Sequence, residues 1–215
     1  MIVFATGNEG KLKEIREILG ENAPEMVSLR QAGLTAEAEE TGTTFSENAE
    51  IKAREIHEKL RLEAQEKGMD TVLSCGARFS DIVVLADDSG LCIDALYGAP
   101  GVKSARFLGH DTSYGVKNRA LTEALMEVPA GKRGAQFVCD ICAVLPDGTA
   151  FHAEGVMTGE VAKKAAGCGG FGYDPIFWLP ERGITSAELP PGEKNRISHR
   201  GQALHKMMEQ LNRKR

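Results

Sequence analysis

The sequence predicts an α/β protein with a mixed β-sheet. Apolar runs typical of buried strands alternate with amphipathic helices in the first half of the chain, and two strands joined by a tight turn follow. The chain has 215 residues, of which 42% are hydrophobic and 27% charged, the balance of an ordinary globular protein. We therefore expect one domain over residues 1–215, with a core that needs no disulfide or structural metal.

The first elements are a strand, a glycine turn and a helix. Residues 2–5 form a short apolar run, and Thr6-Gly7-Asn8 is a turn signal. Residues 11–20 carry apolar side chains at helical spacing and stop at Gly20, which predicts a helix that ends there.

The next helix begins near Thr44. Thr44 and Glu47 fit a capping box, and the helical pattern runs into the polar segment 65–70. Residues 71–80 fit either a short strand or an irregular excursion. Residues 82–86 predict a second buried strand that ends at Asp87-Asp88-Ser89-Gly90.

The remaining elements follow from glycine content and periodicity. We expect a loop over 98–112, a helix over 112–127, strands over about 135–145 and 150–158 joined by a turn at 146–149, and a C-terminal helix from near Ser198.

Charge and apolar content exclude several classes of protein. The net charge of −5, from 26 Lys+Arg and 31 Asp+Glu, makes a nucleic-acid partner unexpected. No stretch approaches the roughly 20 apolar residues of a membrane span, and the N-terminus does not resemble a secretory signal. We therefore expect a cytoplasmic protein. Its 5 cysteines should be reduced, with Cys139 and Cys142 buried in a strand.

Two segments of the N-terminal half could bind anions or cations. Residues Thr6–Lys11 lead from a strand into a helix N-terminus, which favours an anion, although a plain turn fits as well. Asp87 and Asp88 at a strand end suit a divalent cation such as Mg²⁺, or one of them could cap a turn. Glu39 and Glu40 fit a solvated loop when considered alone.

The C-terminal third carries aromatic and basic residues near glycines. Phe171 lies in a loop with four glycines over 167–172 and could stack on a base or plug the core. Ser198 is a natural N-cap, and His199 and Arg200 then place cations at the positive end of a helix. His199 alone more often has a structural role.

Six sequence blocks in order resemble one family closely. They are T-G-N-x-x-K at 6–11, E-x-G-x-T-F-x-E-N-A-x-x-K-A at 40–53, A-D-D-S-G-L at 86–91, G-A-P-G-V-x-S-A-R at 98–106, G-G-F-G-Y-D-P-I-F at 169–177 and E-K-N-x-x-S-H-R at 193–200. This order resembles the inosine triphosphate pyrophosphatase family, the non-canonical purine nucleoside triphosphatases or XTP/dITP diphosphatases.

The resemblance implies a fold and a reaction. It implies an elongated mixed β-sheet flanked by helices, with two lobes and a central active-site cleft. It implies Mg²⁺-dependent cleavage of ITP, dITP and XTP to the monophosphate and pyrophosphate, and a homodimer.

The resemblance also implies roles for individual residues. The phosphate-binding residues would be Thr6, Gly7, Asn8, Glu9, Gly10 and Lys11, with Lys52 as a further cation. Glu40 and Asp88 would bind the metal, Asp88 would accept the proton of the attacking water, and Asp87 would support it. Ser89 would contact the substrate. The residues around the base would be Phe171, Gly172, Tyr173, Asp174, Lys194, His199 and Arg200.

Two departures from the family pattern and two alternatives remain. The chain between Lys52 and Asp87 is about 20 residues longer than expected of bacterial members, which predicts an insertion around 65–83. Lys103 stands where an aromatic residue is common, and we assign it no role.

The alternatives are a Maf-like pyrophosphatase for pyrimidine or modified nucleotides and a non-catalytic nucleotide-binding module. The retained Glu40, Asp87 and Asp88 argue against the second.

Overall fold

The computed structural model describes residues 1–20, 24–36, 39–129 and 131–214. Its strands are β1 (Ile2–Phe4), β2 (Met26–Ser28), β3 (Val83–Ile93), β4 (Gly134–Val144), β5 (Ala150–Val161), β6 (Phe177–Leu179) and β7 (Ile184–Thr185). Its helices are α1 (Glu9–Leu19), α2 (Phe45–Lys67), α3 (Tyr114–Ala124), α4 (Pro191–Ile197) and α5 (His199–Lys214). Among the described helices, none combines the length and apolar character that crossing a membrane requires.

The strands form one mixed sheet. Its seven strands have the order β2-β1-β3-β4-β5-β6-β7. Strand β1 pairs in parallel with β2 and β3, whereas β6 pairs antiparallel with β5 and β7. The predicted α/β class with a mixed sheet is therefore confirmed.

The chain divides into two compact units. The first unit comprises Met1–Asp88, Asp140–Glu154 and Ala203–Arg215, and the second comprises Ser89–Cys139 and Gly155–Gln202. Each unit contains its own apolar cluster. The single-domain description of the chain stays a prediction, as does the insertion at 65–83.

Helix α2 supplies much of the core of the first unit. Its fully buried apolar residues recur every three to four positions, which makes one apolar stripe. These residues are Ala49, Ala53, Ile56, Leu60 and Ala64. They belong to the same cluster as Val3, Val84, Ala86 and Val144 of the strands. The helix is thereby fixed on the sheet, with its polar flanks available for other contacts.

The predicted capping box of α2 is confirmed. The Thr44 hydroxyl accepts a hydrogen bond from the Glu47 backbone N–H at 3.1 Å, and the Glu47 carboxylate accepts from the Thr44 N–H at 3.1 Å. Hydrogen bonds to the Glu47 carboxylate from the backbone N–H and the hydroxyl of Thr43, and from the Thr44 N–H, lower the pKa of Glu47. The start of the helix is therefore defined by its own first turn.

The core of the second unit is built around stacked rings. Phe137 of β4 stacks on Phe177 of β6 with centroids 4.3 Å apart. Leu121 of α3, Ile93 of β3 and the buried Ile176 belong to the same cluster. Strands and helix are thus joined by apolar contact.

Strand β3 corrects the expectation that the second buried strand ends at Asp87. The strand continues to Ile93, so that Asp87-Asp88-Ser89-Gly90 lie within it. Two adjacent acids indicate a turn in the sequence alone, but here their carboxylates have cationic partners on helices. Ion pairing offsets much of the cost of burial, which makes a strand interior possible.

Other boundaries differ modestly. Residues 71–80 form the irregular excursion, with a single bridge between Val72 and Arg78 rather than a strand. Helix α1 begins at Glu9 and α3 at Tyr114. The sequence missed β2, β6, β7 and α4, which have two to seven residues each and are too short for a clear periodicity.

Removing the capping hydroxyl of α2 should destabilise the protein. We expect Thr44→Ala to lower the free energy of unfolding by about 1 kcal/mol, because one orphan N–H of the helix loses its acceptor. Thr122→Ala is the matched control, since its hydroxyl bonds to the Arg119 carbonyl within the helical segment. Equal denaturant midpoints for the two variants would contradict this account.

Candidate active site

Helices α1 and α2 bring cations to the two acids of β3. Lys11 lies in the first turn of α1 and Lys52 lies in the second turn of α2. Glu40 comes from the segment before α2. We call Lys11, Glu40, Lys52, Asp87 and Asp88 the carboxylate cluster, and all of them belong to the first unit.

Lys52 is the centre of the carboxylate cluster. Its ammonium lies 2.9 Å from Glu40 Oε1, 2.7 Å from the Asp87 carbonyl oxygen and 3.3 Å from Asp88 Oδ1. Burial alone would lower the pKa of Lys52, but the charges of Asp88, Asp87 and Glu40 outweigh it and raise that pKa. Lys52 is therefore a fixed positive charge at neutral pH.

Asp88 is a buried carboxyl with a raised pKa. It is 6% exposed, and burial is the largest cause of the upward shift in its pKa. Lys52, Lys11 and a hydrogen bond from the Asn48 amide, 3.2 Å from Asp88 Oδ2, partly oppose the shift. A raised pKa makes the ionised carboxylate a stronger proton acceptor than an exposed Asp. Acid would remove this capacity, because the protonated carboxyl cannot accept.

Asp87 pairs with the other helix. Its Oδ2 lies 2.9 Å from the Lys11 ammonium, and its side chain is fully buried. This contact explains a cation in the first turn of α1, where the helix dipole alone disfavours one. The two neighbouring acids thus engage different helices.

The Thr6–Lys11 turn is organised by its own polar groups. Asn8 is the N-cap of α1, and its Oδ1 accepts from the Lys11 backbone N–H at 3.1 Å. Thr6 Oγ1 accepts from the Asn8 N–H at 3.1 Å. A Cβ added at Gly7 would meet open space. Gly10 lies inside α1, and the side chain of Glu9 lies outside the described part of the chain.

Phe171 and two cations come together in the second unit. Lys194 Nζ lies 5.1 Å and Arg200 Cζ lies 5.5 Å from the centroid of the Phe171 ring, both in cation–π range. The Arg200 guanidinium also donates to Ser89 Oγ at 3.1 Å. We call Ser89, Phe171, Lys194 and Arg200 the aromatic-cation cluster.

Asp174 holds the loop that carries Phe171. Its Oδ2 accepts from the Phe171 N–H at 2.8 Å and pairs with the Lys194 ammonium at 2.7 Å, and its Oδ1 accepts from Ser186 Oγ at 2.6 Å. Gly170 has a φ of +69°, and a Cβ there would lie 2.2 Å from Asp174 Oδ2. Glycine is therefore required for the loop to close on this carboxylate.

Three further predicted site residues have packing roles. Tyr173 is buried, donates to the Ser104 carbonyl at 2.7 Å and has a raised pKa because of burial. His199 is buried and stacks on Phe137 with centroids 4.9 Å apart. The Gly172 carbonyl accepts from the Asn118 amide at 3.1 Å. Their contact with a substrate stays a prediction.

Asn48 is the residue that sequence reasoning missed. It is completely buried, bonds Asp88, and its Oδ1 accepts from the Gly42 N–H at 2.8 Å. A Cβ at Gly42 would lie 2.7 Å from that oxygen, so both residues fit together only as they are. The available signal was the E-N-A block, in which Asn48 precedes the apolar stripe of α2.

Replacing Lys194 should destabilise the aromatic-cation cluster. We expect Lys194→Met to cost about 3 kcal/mol of unfolding free energy, because it leaves the buried Asp174 carboxylate without its cation. The matched control is Lys164→Met, which removes an exposed cation of the second unit. The account fails if both variants unfold at the same denaturant concentration as the unaltered chain.

Comparisons with known proteins identify the family. The model of the Ham1 family matches residues 2–210. Proteins named dITP/XTP pyrophosphatase are 42% identical in Exiguobacterium sibiricum, over 96% of this chain and 94% of the relative, and 44% identical in Yersinia pseudotuberculosis, over 98% and 97%. Ham1 protein structures from Staphylococcus aureus and Coxiella burnetii superpose with TM-scores of 0.80 and 0.78 at 33% and 37% identity. They cover 100% and 99% of this chain, and 99% and 98% of theirs. The chain therefore belongs to the Ham1 family, as its six sequence blocks predict.

Proposed function

We propose that this chain hydrolyses the non-canonical purine nucleotides ITP, dITP and XTP to the monophosphate and pyrophosphate, which removes them from the nucleotide pool. The observation that carries the proposal is the carboxylate cluster, in which one buried ammonium joins Glu40 and Asp88. The names of the relatives support the same reaction and substrates.

The residues present fit a magnesium ion. Glu40 and Asp88 direct carboxylate oxygens at one cation, the Lys52 ammonium, and Mg²⁺ prefers such hard oxygen ligands. Mg²⁺ usually keeps water and substrate phosphates among its ligands, so one or two protein carboxylates are enough to hold it. We assign Glu40 and Asp88 as the ligands. When bound, Mg²⁺ would supply positive charge to the phosphate oxygens.

The cations and amides of the first unit would hold the triphosphate. Lys11 and Lys52 are fixed by carboxylates, so little reorganisation is needed when phosphate charge approaches. The N–H groups of the Thr6–Lys11 turn at the start of α1 add a favourable dipole. These residues lower the repulsion that an attacking oxygen meets at phosphorus.

Asp88 would accept the proton of the attacking water. Burial raises its pKa, and Asn48 and Lys52 fix its two carboxylate oxygens. A base must be both ionised and well oriented, and these contacts supply the orientation. Asp87 supports it by holding Lys11 against the same strand.

The aromatic-cation cluster would recognise the base. Phe171 is 36% exposed and offers a ring face for stacking. Lys194 and Arg200 are donors, as His199 could be, and a donor pairs with the 6-keto group of hypoxanthine or xanthine. Adenine presents a 6-amino donor instead, and a buried unpaired donor costs about 1–3 kcal/mol. Gly172, Tyr173 and Asp174 would line this side.

We also propose a cytoplasmic location and a homodimeric assembly. A nucleotide-pool enzyme works in the cytoplasm, and all five cysteines are free thiols, which is consistent with a reducing compartment. A homodimer is implied by the family resemblance. The Ham1 match gives the Maf-like alternative no support.

A pyrophosphate-release assay across a panel of triphosphates tests the proposed function. With Mg²⁺ we expect kcat/KM for dITP and XTP to exceed that for dATP by about tenfold or more, given the unpaired donor. Chelation by EDTA should stop turnover, and added Mg²⁺ should restore it. Turnover of dTTP and UTP as fast as of dITP and XTP would contradict the purine assignment, and full activity in EDTA would contradict the metal.

A further inference from the structure

His152 joins strands β4 and β5 to helix α2 outside the carboxylate cluster. Its Nδ1 lies 2.8 Å from Asp140 Oδ1 and 2.9 Å from Ser46 Oγ, and its Nε2 lies 3.3 Å from Glu50 Oε2. Glu50 in turn pairs with Arg54 at 2.6 Å. All these residues belong to the first unit.

The contact is anchored from the strand side. Asp140 is 6% exposed in β4, and burial is the largest cause that raises its pKa. The backbone carbonyl of His152 accepts from the Gln210 amide of α5 at 3.0 Å. An imidazole held at its backbone and at both ring nitrogens has little freedom, so it can define where its partner helix lies.

The same turns of α2 meet Asp88 on their other flank. Ser46 and Glu50 lie about 120° to 160° around the helix axis from Asn48 and Lys52, at 100° per residue. The apolar stripe that contains Ala49 and Ala53 separates the two flanks. The hydrogen bonds to His152 would therefore oppose a small rotation of α2 about its axis. Such a rotation would move Asn48 and Lys52 relative to Asp88.

The two flanks are also electrically coupled. The charge of Asp88 is among the causes that raise the pKa of Asp140, whereas the hydrogen bond from His152 lowers it. The Asp140 carboxyl is therefore close enough to Asp88 for the charge of Asp88 to affect its pKa. Asp140 lies in β4, the strand next to β3 in the sheet, which accounts for this coupling.

We propose that His152 and Asp140 are positioning residues for pyrophosphate release, which act by fixing the first turns of α2 so that Asn48 and Lys52 meet Asp88. The inference rests on the proposed function, because it assigns these residues to the reaction at that site. It requires that loss of the His152 ring affects the chemical step more than substrate binding.

Three variants of the full chain test this role with dITP and Mg²⁺. We expect His152→Ala to lower kcat by about tenfold or more while KM changes little, because misplaced groups cost turnover before binding. His152→Asn should recover most of the loss, because its amide can donate to Asp140 from near the Nδ1 position. His57→Ala is the matched control: His57 lies on the same flank of α2, where Nε2 lies 3.4 Å from the Pro146 carbonyl and the ring packs on Phe79.

The outcomes separate positioning from general stability. An unchanged kcat in His152→Ala, a loss of the same size in His57→Ala, or no recovery in His152→Asn would each overturn the proposal. If the unaltered chain releases no pyrophosphate from dITP, the proposed function itself fails. Amide hydrogen exchange then tests whether His152 fixes the first turns of α2. Faster exchange over residues 45–52 in His152→Ala than in His57→Ala supports this contact, and equal exchange refutes it.

Discussion

The site depends on the contacts of the Lys52 ammonium. It joins a loop carboxylate, a strand carbonyl and a strand carboxylate, and without it Glu40 and Asp88 would face each other as like charges. The apolar stripe of α2 positions Lys52 beside these groups, because Ala49 and Ala53 pack the helix against the sheet. Packing of small residues is thus what brings a cation to two acids.

Side chains alternate along strand β3, so its two neighbouring acids contact different helices. Asp87 and Asp88 point to opposite faces of the sheet. Asp87 meets Lys11 of α1, and Asp88 meets Lys52 and Asn48 of α2. Because both acids are neutralised in this way, they can lie inside a strand. Ser89, the next residue of the strand, accepts a hydrogen bond from Arg200. Two helices and one strand therefore set the charges of the proposed reaction centre.

The sequence predicted what local pattern and chemistry determine. The class, the α2 capping box, the capping of α5 by Ser198 and the family blocks all depend on residues close in the chain. It placed a strand end at Asp87 because the partners of that carboxylate lie 76 residues away on α1 and are invisible to periodicity. It left Asn48 without a role for the same reason. His152 and Asp140 lie outside the family blocks, and only the folded chain brings them to α2.

The central claim is that the Asp88 carboxylate carries the reaction, and pyrophosphate release by Asp88→Asn tests it most directly. The amide has the same shape but cannot accept the proton, so the account predicts a loss of kcat of at least about 10²-fold. Far-UV circular dichroism should show a folded chain, and Asp81→Asn, which alters an exposed acid just before the same strand, should keep full activity. Turnover by Asp88→Asn near that of the unaltered chain would contradict the account.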